Sequence, residues 1–320
     1  MKRRSFLKAV SLPFILPSTR AFAQMDSSRP IRVVVPLPPG SSNDTSTRIQ
    51  AAVMSQILGQ PIIVDNKTGA GGVIGTMDVV RAKPDGLTLM AGSLSPLAIN
   101  MAFVKDMPYD PRKDLTAIAG STLTNHVMIT APNAPFKTFP EFIAFAKANP
   151  GKVSIGYSTS LVQLQIAHIV KLSGVDILAV PYKGAPQSVT DVMGGVLTAT
   201  MANPGPTIGM EKAGQLRVLG VTSIKRNPLT PDWPALSETL PGFDFPAWNA
   251  WVGPAGMPAD VTKRLSDAIG KALQHPEVVQ KLALEATLPL MMGPDETKAY
   301  IAAETDKFIK AANDAGIKPE

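Results

Sequence analysis

The 320-residue sequence contains no cysteine, which excludes thiolate metal sites, cysteine nucleophiles and disulfides. Histidine is nearly as scarce. His126, His168 and His275 are the full complement, no two have metal-ligand spacing, and no His-Glu-x-x-His motif occurs. A nucleophile elbow is also missing: the nearest approach, Gly156-Tyr157-Ser158-Thr159-Ser160, lacks the closing glycine. Gly69-Ala70-Gly71-Gly72-Val73-Ile74-Gly75 hints at a dinucleotide loop, but Ile74 occupies the third glycine position. No Gly-Lys-Ser/Thr phosphate loop is present. Without a nucleophile–base pair or a ligand cluster, an enzyme is disfavoured, and neither a metal nor a cofactor is expected.

The beginning of the chain is more informative. Lys2, Arg3, Arg4 and Lys8 precede a short apolar run, and Ala21-Phe22-Ala23 offers small residues where a signal peptidase inspects the chain. Residues 1–23 therefore read as an export signal, with Gln24 as the mature start. The run is broken by Pro13 and Pro17 and is too short to span about 30 Å of hydrocarbon. Arg3-Arg4-Ser5-Phe6-Leu7-Lys8 resembles a twin-arginine signal, although Lys2 stands where Ser or Thr is usual; an ordinary secretory signal is the alternative. Either route predicts a periplasmic protein.

Removing that segment changes the electrostatics. Five of the 31 basic residues lie in it and none of the 25 acidic ones, leaving 26 against 25. The basic pI is thus largely a property of the signal, and nucleic-acid binding loses its support. A fold without disulfides in an oxidising compartment must rest on its core. With 45% apolar residues, a chain this long can build one, and its length suits two lobes.

Short β-branched runs alternate with helical patterns, which predicts an α/β fold of mostly parallel sheets flanked by helices. Expected strands lie at 31–35, 62–65, 87–91, 127–130, 153–157, 177–180, 197–202, 216–222 and 248–252. Helices are expected at 44–58, 73–82, 139–149, 162–172 and 186–193, with three more starting near Pro258, Pro276 and Asp295. Ser42 or Asn43 would cap the first helix and Thr138 the third. Two such series with a return to the first predict a two-lobed binding protein. Residues 24–125 and 246–320 would form one lobe and 126–245 the other, with the ligand cleft at the strand ends between them.

Loops rich in Gly, Ser, Thr and Asn follow several strands. In Pro36-Leu37-Pro38-Pro39-Gly40-Ser41-Ser42-Asn43-Asp44, the prolines stiffen the approach and Gly40 permits a sharp turn. A helix N-terminus then points free N–H groups at the loop mouth, a cradle for a carboxylate built without a cation. Pro38, Gly40, Ser41, Ser42 and Asp44 are candidate ligand contacts here. Ser93 and Ser95, Ser158, Thr159 and Ser160, and Asn203 lie on similar loops. The plain alternative is a set of well-capped turns. Lys183 follows a strand and could meet a second carboxylate, or could be an ordinary surface lysine. Trp233, Trp248 and Trp251 could line the cleft but read more simply as core, and Asp65 and Asp78 as turn and surface residues.

The segment PLPPGSSNDTSTR at 36–48 resembles the P-x-P-P-G-G-x-x-D-x-x-A-R signature of the Bug family, the solute receptors of tripartite tricarboxylate transporters. NKTGAGGVIGTMDVVRAKPDGLTLMAG at 66–92 is similar to that family's second conserved stretch. MPYDPRKDLTAIA, VPYKGAPQSVTDVMGG, LRVLGVTSIKR and WVGPAGMP continue the resemblance in order. It implies a type II-like two-lobed periplasmic receptor, monomeric, closing on a small carboxylate and passing it to the transporter's membrane components. In the family, groups near the first loop hold one carboxylate and the second lobe reads the rest.

The departures bear on the ligand. Ser41 replaces the second loop glycine. The segment GYSTSLVQLQ loses most family glycines and puts Gln163 at the family's His position. Ala202 stands where the family has Asp before Asn203, which removes a partner for an amino group. An aliphatic or aromatic carboxylate is therefore expected rather than an amino acid. A periplasmic sensor presenting the loaded form to a membrane signalling protein remains open, as does, less favourably, a hydrolase.

Overall fold

Ile31, Val33, Val34 and Val35 are fully buried in the first strand, β1 (Ile31–Val35), where β-branched side chains fit a pleated surface covered on both sides. The computed structural model describes residues 26–319; the export-signal expectation falls on residues 1–23, outside them. After β1 come α1 (Ser42–Leu58), β2 (Ile62–Asn66), α2 (Val73–Val80) and β3 (Thr88–Ser93). A helical stretch, Ser95–Ile99, then runs into α3 (Asn100–Phe103), and β4 (Leu115–Thr124) follows. Helix α1 begins two residues earlier than expected, because Ser41 caps it: its Oγ accepts the Asp44 N–H at 3.3 Å. The helix ends at Gly59, whose φ of 63° suits only a residue without Cβ strain.

The second series is β5 (Val127–Thr130), α4 (Phe139–Ala148), β6 (Ser154–Tyr157), α5 (Ser160–Ser173), β7 (Leu178–Pro181), α6 (Ala185–Met193), β8 (Ala199–Ala202), α7 (Pro204–Lys212) and β9 (Arg217–Val221). The chain then returns through β10 (Ala247–Pro254), α8 (Ala259–Gln274), α9 (Pro276–Leu284), β11 (Leu288–Pro289) and α10 (Pro294–Asp314). In α8, Val261, Leu265, Ala268, Ile269, Ala272 and Leu273 are buried, the stripe of a helix laid on a core.

Two sheets result. One has the order β11-β4-β10-β3-β1-β2, the other β7-β6-β8-β5-β9. Each is mixed. Parallel pairing joins β1 to β2 and β3, and β6 to β7 and β8. Strands β10 and β4, which flank the crossings between sheets, pair antiparallel in the first sheet, and β5 does so in the second. The parallel expectation thus holds for the β-α-β portions, while the strands that enter or leave a crossing run the other way. Strand β4 and helix α7 were not anticipated. The architecture is an α/β fold of two sheets flanked by helices.

Two crossings, around 125–126 and 222–246, connect the sheets, and they are bonded to each other. Thr222 donates its N–H to the His126 carbonyl (3.1 Å), and Phe245 donates its N–H to the Thr222 carbonyl (2.9 Å). Gln165 on α5 ties both: its Nε2 donates to the Phe245 carbonyl (2.7 Å), and its Oε1 lies 3.2 Å from His126 Nδ1. The buried tryptophans belong to the core. Trp251 donates to Gln50 (2.9 Å), Trp248 to Glu304 (2.9 Å) and Trp233 to Glu211 (2.6 Å). Asp65 and Asp78 both pair with Arg32, at 3.0 and 2.7 Å. Among the described residues no helix is long and apolar enough to cross a membrane.

Candidate functional site

The loop from β1 to α1 is locked by one carboxylate. Asp44 Oδ2 accepts the Gly40 N–H at 2.8 Å, and Oδ1 accepts from Arg48 Nε (3.0 Å) and Asn66 Nδ2 (2.9 Å). Asn66 Nδ2 also donates to the Leu37 carbonyl at 3.0 Å. Burial pushes the Asp44 carboxyl pKa up, but hydrogen bonds from Arg48, Gly40 and Asn66, with the Arg48 charge, outweigh it and leave it below the usual range. Its side chain is only 4% exposed. Asp44 therefore shapes the loop from behind. Gly40 has φ +79° with open space where a Cβ would stand, so its backbone conformation, not crowding, calls for glycine.

In front of that loop lies a cleft of about 240 Å³. Helix α1 lines one side with Ser42, Thr45, Ser46 and Ile49, which share a face at i, i+3, i+4 and i+7. The N–H groups of Ser42 and Asn43 have no acceptor among the described residues; N–H groups at a helix start point back out of the helix, and of the two residues Ser42 lines the cleft. The sheet supplies Thr122, Thr124 and Asn249, and Asn249 Nδ2 donates to Thr122 Oγ1 at 2.7 Å. Across the cleft stand Asn203 and Pro206, at the start of α7 in the second sheet's unit. The end of α9 and the segment after it add Lys281, Leu282, Glu285 and Thr287.

The two units touch beside this cleft. Asn227 Nδ2 donates to the Ala286 carbonyl at 2.7 Å, and Gly205 packs directly against Glu285, whose carboxylate occupies the place a Cβ would take. A second cavity of about 250 Å³ lies between α6 and α7. It is lined mainly by Ala185, Pro186, Val189, Met193 and Met210, and it shares Asn203 and Pro206 with the cleft.

Of the residues singled out from sequence, Gly40, Ser42 and Asn203 line the cleft. Ser41 is the α1 cap, and Pro38 is exposed on the loop. Ser93 sits opposite Asn249 in the β3–β10 register, and its buried Oγ has no partner among the described residues. Side chains opposite each other share a face, so Ser93, Asn249 and Thr122 form a polar row beneath the cleft. Ser95 starts the helical stretch after β3. Ser158, Thr159 and Ser160 gather at the start of α5, where Thr159 Oγ1 accepts the Val162 N–H at 3.3 Å. Gln163 is half-buried further along α5, and Lys183 is exposed after β7. None of these last five lines the cleft. Sequence reasoning missed Thr122, Thr124, Asn249, Lys281, Glu285 and Thr287. The Thr-x-Thr alternation of β4 was the one available signal.

Residues 47–316 match the family described as the tripartite tricarboxylate transporter family receptor, TctC. The chain belongs to the TctC family. Its relatives include BugT of Bordetella pertussis, 32% identical over 302 residues, which cover 91% of this chain and 90% of that protein. Among solved structures, Rpa4515 of R. palustris with adipate superposes with a TM-score of 0.82 at 28% identity, covering 92% of this chain and 99% of that one. MatC (Rpa3494) from Rhodopseudomonas palustris with bound malate gives 0.76 at 26% identity, covering 88% and 98%. TctC proteins are solute-binding receptors, not enzymes, and this chain is a solute receptor of that family with a two-lobed binding-protein architecture.

Proposed function

We propose that this protein captures a small carboxylate in the periplasm and delivers it to the membrane components of a tripartite tricarboxylate transporter. The observation that carries the reading is the start of α1. The uncommitted N–H and the hydroxyl of Ser42 stand at a cleft whose wall is largely hydroxyl and amide groups, with Asn203 contributed by the second unit. Hydrogen-bond donors at a positive helix terminus favour an anion without any arginine. The relatives solved with adipate and with malate support the same ligand class. The apolar cavity that adjoins the cleft at Asn203 and Pro206 suits an aliphatic or aromatic body.

Loop residues Pro38, Gly40 and Ser41 would set the shape of the carboxylate end, with Ser42 in contact and Asp44 behind them. Ser93 would contribute its free hydroxyl through the polar row. Ser158, Thr159, Ser160, Gln163 and Lys183 would reach the ligand only after a further movement of the second unit about the 125–126 and 222–246 crossings, whereas Ser95, in the first unit after β3, would stay away from it.

A thermal-shift screen of the mature protein against mono-, di- and tricarboxylates tests the reading. A ligand at 100 times its Kd adds about 2.7 kcal/mol of stability, and silence across all carboxylates would sink the proposal. Periplasmic residence rests on the leader. It predicts a processed protein starting at Gln24 in the periplasmic fraction, whereas an unprocessed cytoplasmic chain would refute it.

A further inference from the structure

The cleft wall carries one uncommitted charge. Lys281 is already paired with Glu277 at 2.7 Å, one turn back on the same helix. Glu285, which follows α9, has no ion-pair or hydrogen-bond partner for its carboxylate among the described residues, yet it lines the cavity. Its placement is directional: the carboxylate reaches across to Gly205 at the start of α7, on the far side of the cleft. The lining therefore offers donors at the α1 end and an anionic acceptor elsewhere in the same small space.

We propose that Glu285 selects the ligand's far end, so that the cleft favours a monocarboxylate bearing a hydrogen-bond donor or amine there and turns away a second carboxylate. This inference rests on the carboxylate-receptor reading. A second carboxylate in a cavity of about 240 Å³ meets a like charge, because the one cation in the lining, Lys281, is held by Glu277, and like-charge juxtaposition is how sites reject a wrong partner. A hydroxyl or ammonium would instead satisfy the Glu285 oxygens. The loss of an acidic partner at Ala202, which argued against an amino group from sequence, is thereby made good from a different element. Glu285 is exposed to the solvent in the cleft, so screening limits the discrimination to roughly tenfold rather than many orders of magnitude.

The test is calorimetric titration of the mature wild type and of Glu285→Gln with valerate, its ω-hydroxy and ω-amino derivatives, and glutarate, repeated with matched sets of other chain lengths. Wild type should bind the ω-hydroxy or ω-amino acid about tenfold more tightly than the dicarboxylate. Measured relative to the plain monocarboxylate, Glu285→Gln should strengthen the dicarboxylate and weaken the amine by about tenfold each. If the variant shifts all four ligands equally, or none, the selection role is wrong while the carboxylate reading stands. If wild type binds no member of any set, the carboxylate reading itself falls and takes this inference with it. An unchanged melting temperature for the unliganded variant separates selection from misfolding.

Discussion

The Asp44 carboxylate accepts the backbone N–H of Gly40 at 2.8 Å, closing the loop between β1 and α1 into a fixed mouth. The same carboxylate takes Arg48 and Asn66, so a residue almost wholly buried decides where Gly40 and Ser42 stand. Replacing it with Asn should cost about 2–4 kcal/mol of folding stability, because a buried, multiply bonded acceptor loses its charge. Affinity for the ligand should fall as the mouth loosens. Urea unfolding of the variant measures the first, titration the second.

That bond also has a pH signature. A carboxyl held below its ordinary 3.8 in the folded protein stabilises the fold above that value, and the contribution is lost as pH falls through the lower, folded value. Comparing wild type with Asp44→Asn, the stability gap should close on acidification and be full at neutral pH. A gap that does not change with pH would mean that Asp44 acts through packing alone.

A second titration lies at the crossings. Burial holds the His126 imidazole below its ordinary 6.5, only partly opposed by Gln165. The unfolded chain therefore binds that proton more tightly, so stability is complete above 6.5 and falls as pH drops below it. The slope from one such group is at most about 1.4 kcal/mol per pH unit. His168 is lowered for the same first reason, so the effect is isolated by difference. Unfolding of His126→Gln, followed from neutral to mildly acidic pH, should show a flatter profile than wild type.

Gly205 offers a test of the contact between the two units. A Cβ there would meet the Glu285 carboxylate, and the Glu285 Cα lies 3.3 Å from the same point. The side chain can swing away but the backbone cannot, so Gly205→Ala should ease the two units apart. The expectation is several-fold weaker ligand binding with an unchanged unfolding midpoint, and greater scattering dimensions in the liganded state.

Much of the fold was readable because its signals are local. Ile31–Val35 is β-branched apart from Arg32, Thr138 caps α4 with its Oγ1, and Pro276 and Pro294 are the first residues of their helices. Strand β4 was invisible for a physical reason. Its Ala117, Gly120 and Ser121 have little intrinsic strand preference, and β10 and β11 enforce its conformation from either side. Helix α7 hid behind Pro204-Gly205-Pro206, which reads as a turn although proline is at home in a first helical turn. The site suffered accordingly. Ser42 and Asn203 sit beside recognisable loops, whereas Thr122 and Thr124 ride on the unread strand. Glu285 and Thr287 reach the cleft only because α9 folds back beside α1, a relationship between distant segments that no local pattern carries.

If the start of α1 grips a carboxylate through its backbone, Ser42→Pro should remove that grip. Proline is tolerated at a first helical position, and Ser41 already has the extended φ and ψ of −64° and 157° that suit a residue before proline. The substitution therefore removes the Ser42 N–H and hydroxyl without breaking the helix, and Ser42→Ala separates the hydroxyl from the N–H. Titration of both variants with whichever carboxylate stabilises the wild type should show a loss of tenfold or more for Ser42→Pro, about 1.4 kcal/mol, with the unfolding midpoint of the free protein unchanged. Wild-type affinity in Ser42→Pro would mean that the carboxylate is held elsewhere.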